Sequence, residues 1–170
     1  PEYRPEEDHR HFLYQEYLRV ITRTRPAVFV MENVKGIISS RVGGRRIFHD
    51  ILRDLASPAP DMDSRNSDPL HYRIYSLSSD ASFSSEMDIS EISPNDFIIR
   101  TEDYGIPQAR HRVILLGVRS DITERPGKLA KRENPVTVWD AIGDLPRIRS
   151  KISGKGDNKI LWAEAVSNYL

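Results

Sequence analysis

Two short apolar runs limit what this chain can build. Ala27–Met31 (AVFVM) and Val113–Val118 (VILLGV) carry no charge and are each of strand length. A continuous apolar run suits a strand covered on both faces, as in a parallel sheet. The segments around them alternate with helical patterns. From Asp8 to about Thr24, Phe12, Leu13, Tyr17, Val20 and Ile21 recur at helical spacing, and Pro26 follows. RRIFHDILRDLA reads as a second helix with Ile47, Ile51 and Leu55 as its core stripe. HYRIYSL alternates and predicts a strand over Tyr72–Leu77. DFIIRTE then precedes VILLGV across the turn-like DYGIPQ, the pattern of a β-hairpin with a long connection. Helix, strand, helix, strand, strand is the order of an α/β layer.

The connections are polar. SPAPDMDSRNSDP is a Pro-rich loop, and SSDASFSSEMDISEISPN, acidic and serine-rich, is expected to be a mobile insertion. After Arg119 the chain stays polar through Asn134. TVWDAIGDLP predicts a short helix with Thr137 as N-cap and Pro146 beyond its end. A basic stretch, Arg147 to Gly156, leads into the helical pattern ILWAEAVSNYL. No internal repeat occurs.

The 170 residues suffice for one domain or a large piece of one. Lys plus Arg and Asp plus Glu both number 25, so bulk charge does not announce a nucleic-acid binder. Arginine outnumbers lysine, which favours bidentate recognition of phosphate, carboxylate or base edges. The absence of cysteine excludes disulfides, thiolate metal sites and a cysteine nucleophile within the chain. No run approaches a membrane span and no signal peptide opens the sequence, so a cytoplasmic location is expected. The start at Pro1 and the stop inside a helical pattern read as cuts, the mark of a fragment or a processed product.

Chemistry concentrates where the two apolar runs meet polar residues. In DYGIPQARHRVILLGVR, Gln108, Arg110 and Arg112 are two apart, so in a strand they share a face that continues through Ile114 and Leu116. That face is expected to be apolar in the core and polar at a cleft. Guanidinium groups held there make strong charge-assisted bonds to anionic oxygens, unless they simply pair with Glu102, Asp103 or another surface carboxylate. Glu32 directly follows AVFVM. At the carboxyl end of a parallel strand it would border a ligand crevice, and partial desolvation would keep it protonated as a donor. Otherwise it caps the next turn. Gly43–Gly44 is no phosphate loop, because no G-x-G-x-x-G or G-K-[ST] pattern is present. Asp8, His9 and His11 fit no common metal spacing. Arg45 and Arg46 are solvated or touch phosphate.

RPAVFVMENVKGI followed by DYGIPQARHRVILLGVR resembles the DNA (cytosine-5) methyltransferase family through its E-N-V and Q-x-R-x-R segments. DHRHFLYQEYLRVI is similar to the family's D-x-R-x-x-L helix, and VTVWDAIGDLP to the lead into its target-recognition region. The resemblance implies the latter part of a Rossmann-like, S-adenosylmethionine-dependent methyltransferase fold. That part holds about three strands with flanking helices and lacks the first strands. Residues 1–120 would be the C-terminal part of the catalytic domain and 121–170 the connector and start of target recognition. The implied substrate is a cytosine flipped from double-stranded DNA. In the family a cysteine thiolate attacks carbon 6 and carbon 5 takes the methyl group. By resemblance Glu32 is the acid at ring nitrogen 3, and Arg112 clamps the exocyclic oxygen. Arg110 holds the catalytic loop and nearby phosphate, and Asn33 and Gln108 organise the shell behind them.

The family's Pro-Cys loop and its glycine-rich loop for the methyl donor would lie upstream, so the cofactor site falls mostly outside this chain. The resemblance therefore implies a piece inactive alone, whose partner is the missing N-terminal half of the domain on the same or a separate chain. AVFVM should expose the edge where that half pairs. Two alternatives stand beside this: a DNA-binding or regulatory module that keeps the fold without the nucleophile, and an unrelated α/β protein in which Glu32 and Arg112 lie apart.

Overall fold

The computed structural model describes residues 13–42, 44–59, 68–145 and 158–167. The chain packs as two units, one through Thr137 and one from Val138. The break falls after the strap that follows Arg119, and residues 121–137 group with the first unit.

Helix α1, Leu13–Thr24, carries the expected amphipathic stripe. It stops where Arg25 turns left-handed at φ 47° and its amide bonds the Ile21 carbonyl, a backbone that closes a helix before Pro26. Residues 8–12 of the expected helix lie outside the described residues. Strand β1, Val28–Val34, extends past the apolar run through E-N-V. A one-turn 3-10 helix, Lys35–Ile38, leads to the two-residue strands β2, Arg41–Val42, and β3, Arg45–Arg46, with both arginines exposed. Helix α2, Ile47–Ala56, buries the predicted Ile47, Ile51 and Leu55, together with Phe48 and Leu52. Strands β4, Tyr72–Tyr75, and β5, Ser82–Phe83, precede β6, Ile98–Arg100, and the long β7, His111–Arg119.

These make a five-stranded sheet in the order β1-β7-β4-β5, with β6 also on β7. Every described pair in it is antiparallel, which corrects the parallel-sheet expectation for AVFVM. The reason lies in the coverage of β1. Phe29 is buried, while Val28, Val30 and Val34 stay about half exposed. A run apolar on both faces need not be covered on both within one chain. The sheet is also larger than about three strands: short β5 joins the four segments that the pattern marks as strands.

The core is one cluster on the α2 face of the sheet, built by Phe48, Leu52 and Leu55 against Tyr72, Ile74, Val113 and Leu115. The predicted hairpin is present: β6 meets the start of β7 through Ile98↔Val113, Ile99↔Arg112 and Arg100↔His111. The serine-rich segment packs into the fold. Its Phe83 and Ile89 enter the core, beside Phe97 of the following DFIIRTE, whose ring lies 5.7 Å from Phe48. The hydroxyls of Ser76, Ser78 and Ser79 all donate to the Asp96 carbonyl, and the amides of Ser78 and Ser79 donate back to Ser76 Oγ. Serine here closes the turns in place of sheet pairing, which composition alone reads as disorder.

The second unit contains α3, Val138–Ile142, and α4, Lys159–Ser167. Asn158 caps α4 through its side-chain oxygen, 2.9 Å from the Leu161 amide. Pro146 and the basic stretch to Gly156 lie outside the described residues. No described helix is long and apolar enough to cross a membrane.

Candidate active site

The antiparallel register brings the acid and the arginine together. Val34 faces Arg112 and Glu32 faces Ile114, so Glu32 and Arg112 are diagonal neighbours on one sheet face. Their side chains form an ion pair, Arg112 Nε to Glu32 Oε1, at 2.6 Å. Arg112 Nη1 also donates to the His111 carbonyl at 2.9 Å. A guanidinium has five N–H donors, so two contacts leave the second terminal nitrogen without a partner among the described residues. Glu32 Oε2 is likewise without one. The pair is lopsided: the Arg112 side chain is 18% exposed and that of Glu32 55%. The desolvation of Glu32 expected from the sequence is thus not supplied by this chain.

The other candidates sit less regularly. Strand β7 begins at His111, so Gln108 and Arg110 belong to the preceding turn and not to one strand face with Arg112. The face that enters the core is Val113, Leu115 and Gly117; Ile114 and Leu116, on the Arg112 face, are only partly buried. The turn is held by its backbone. Gln108 N bonds the Ile106 carbonyl at 2.7 Å, Arg110 N the Gln108 carbonyl at 2.9 Å, and Thr101 Oγ1 receives the Arg110 amide at 3.1 Å. Both Gln108 and Arg110 are exposed. Asn33 turns its side chain to its neighbour, accepting the Val34 amide at 2.8 Å. Glu102 and Asp103, candidate partners for the arginines, take other bases: Glu102 meets His111 at 2.8 Å and Asp103 meets Lys131 at 2.7 Å.

Lys131 was not legible as a neighbour of this site. The strap after β7 returns to it: Arg132 N bonds the Asp103 carbonyl at 2.8 Å, and Leu129 N the Leu77 carbonyl at 2.8 Å. Gly105 adopts φ 81° at the end of the 3-10 turn Thr101–Tyr104, and the Arg132 side chain lies where a Cβ would stand. Sequence separation hides such contacts. His111, lying between the two arginines, was the one visible signal.

These ion pairs act on the acids. Bonds from its own amide and from His111 hold the Glu102 carboxyl below its ordinary range, and Lys131 does the same for Asp103. A carboxyl depressed in the folded chain adds stability above its unfolded value and loses it as pH falls through the folded one. The Thr101–Arg112 turn is therefore expected to loosen on acidification below about pH 4. Amide exchange at Ile106 and Arg110, corrected for intrinsic rates, would measure this; protection unchanged down to about pH 3 would contradict it.

Among the described residues no group of side chains is placed to hold a metal ion. Asp8, His9 and His11 lie outside them. Phe29 fills the space beside Gly117 and Arg132 that beside Gly105, whereas the space beside Gly36, just past the end of β1, is open.

The family model for C-5 cytosine-specific DNA methylases matches residues 3–58, which include β1 and Glu32. Curated relatives match further along the chain. The type II methyltransferase M.BspRI of Lysinibacillus sphaericus is 30% identical over 146 residues, 82% of this chain and 26% of the relative. M.BsuRI of Bacillus subtilis is similar to the same extent. M.DdeI of Desulfomicrobium norvegicum is 27% identical over 158 residues, 89% of this chain and 30% of the relative. The chain thus spans about a quarter of the length of the curated relatives it matches.

Proposed function

Because this chain belongs to the C-5 cytosine-specific DNA methylase family, we propose that it is the later part of the catalytic domain of a DNA cytosine-5 methyltransferase. The observation that carries the reading is the 2.6 Å contact between Glu32 and Arg112, two motifs far apart in sequence and joined by β-register. The reaction is transfer of a methyl group from S-adenosylmethionine to carbon 5 of a flipped cytosine. S-adenosylmethionine would supply the methyl group, from a site mostly outside this chain. The chain has no cysteine, so in this reading the thiolate comes from the rest of the protein.

The pair suits a pyrimidine with a nitrogen and a carbonyl on one edge. Arg112 donates to the exocyclic oxygen through the terminal nitrogen it keeps free, stabilising the charge that develops there. Glu32 meets ring nitrogen 3. A base closing over the exposed carboxyl would exclude water from the contact. Arg110, in the exposed turn, holds the catalytic loop and nearby phosphate, and Gln108 and Asn33 organise the residues behind the pair. Residues 121–170 connect the catalytic part to the start of target recognition.

The remaining half of a Rossmann-like sheet pairs along β1. That strand is the sheet's end, with β7 its one partner strand among the described residues. Its half-exposed Val28, Val30 and Val34 lie on the face opposite Phe29. In the whole protein, Arg112→Ala is expected to weaken flipped-base stabilisation more than duplex affinity. Fluorescence of a base analogue at the target, read beside duplex binding across salt, separates the two. A uniform affinity loss with a shallower salt slope would instead make Arg112 a phosphate contact. The absence of cysteine also admits a regulatory module that binds DNA without chemistry. A complete reading frame with no Pro-Cys loop and no methyl transfer to duplex DNA would favour that module and sink the enzymatic reading.

A further inference from the structure

Two anchors fix the Arg112 head, and they are not equivalent. One is Glu32, itself a reacting group in the proposed chemistry. Once a base occupies Glu32, the hold on Arg112 from that side is shared. The other is the main-chain carbonyl of His111, at 2.9 Å, which has no part in the proposed chemistry. The position of that carbonyl therefore sets where the guanidinium stands when charge develops.

His111 is poorly secured by what precedes it. The turn Ile106–Arg110 is mostly exposed and held by short-range backbone bonds. Its side chain supplies what the turn lacks. By alternation it lies on the sheet face opposite Arg112, so it does not compete for the base. There Nε2 meets Glu102 Oε1 at 2.8 Å, both groups about one-third exposed. Glu102 belongs to the 3-10 turn that continues β6, and β6 pairs with the start of β7 through Arg100↔His111. The contact ties the first residue of β7 to an ordered neighbour across nine positions of chain. A carboxylate only accepts hydrogen bonds, so Nε2 carries the proton, and the ring's orientation follows.

We propose that His111 and Glu102 are positioning residues for Arg112: their contact fixes the His111 carbonyl, and that carbonyl orients the guanidinium toward the flipped base. The consequence for methylation rests on the function proposed above; the positioning itself does not, and the two fail separately.

The test is made first on the 170-residue chain, by ¹⁵N relaxation of the Arg112 Nε–H group. In the wild type it should be ordered. His111→Ala and Glu102→Ala should lower its order parameter below about 0.6, the flexible range. Glu102→Gln keeps an acceptor oxygen and should restore order. Backbone amides of Val113 to Val118 should stay as in the wild type in all three. An Arg112 signal unmoved by either alanine would overturn the proposal. So would loss of order in Arg112 together with the β7 amides, which would make the contact a plain staple of the hairpin. In the whole protein, Glu102→Ala should then lower kcat about 10- to 100-fold with KM little changed. An ordered-to-mobile change in Arg112 with kcat unaltered would leave the positioning intact and remove Arg112 from the reaction.

Discussion

Glu32→Gln in the complete protein is expected to lower methyl transfer about 10²- to 10⁴-fold while duplex binding stays within a few-fold of wild type. The substitution is nearly isosteric and keeps an oxygen facing Arg112, so the 2.6 Å contact can survive between the guanidinium and an uncharged amide oxygen. In the chemistry proposed above, what it removes is a transferable proton. A glutamine amide can touch ring nitrogen 3 but cannot protonate it, and the unprotonated ring stays a poor electrophile at carbon 6. Because Glu32 is more than half exposed, the change should barely affect stability. Unaltered thermal unfolding together with lost turnover would therefore be informative. Single-turnover transfer of labelled methyl groups, measured beside duplex affinity, provides the test; full turnover would remove Glu32 from the chemistry.

Gly117→Ala is expected to destabilise the chain by about 2–3 kcal/mol, although it adds one methyl group. Gly117 sits in mid-strand, directly across from Phe29. A Cβ built there runs into the Phe29 ring. The ring cannot easily retreat: it is buried, with Tyr72 edge-on at 4.9 Å and Tyr17 at 6.1 Å. Either the ring leaves its rotamer or β1 moves from β7, and the second option drags Glu32 from Arg112. Loss of methylation would then follow from a residue far from the base. For a chain of this size the unfolding midpoint should fall by about 5–10 °C. Phe29→Leu should recover part of the loss in the double variant, since the two side chains occupy the same space. An unfolding midpoint equal to wild type in Gly117→Ala would mean that β1 and β7 do not pack through this ring.

Periodicity was enough for much of the frame. The stripe Ile47, Ile51 and Leu55 becomes the buried side of α2, and DFIIRTE with VILLGV becomes the β6–β7 hairpin. Such patterns are legible because one residue type recurs at one spacing within one element. Two readings failed for related reasons. AVFVM resembles a strand covered on both faces, but exposure depends on what else packs there. SSDASFSSEMDISEISPN reads as a mobile insertion, but its Ser78 and Ser79 hydroxyls find the Asp96 carbonyl, and Phe83 and Ile89 find the core. Composition counts polar groups and does not say whether they meet.

For the candidate site, residue types were readable and geometry was not. Glu32, Asn33, Gln108, Arg110 and Arg112 stood out by motif. The pairing of Glu32 with Arg112 required the antiparallel register of β1 on β7, which local pattern does not specify. The bonds Lys131–Asp103 and His111–Glu102 required the strap and the 3-10 turn to return to the same place. Element type is settled over a few neighbouring residues, where backbone preference and apolar spacing act. Which charge meets which is settled by register and chain return, so that part of the chemistry appears only once the strands are aligned.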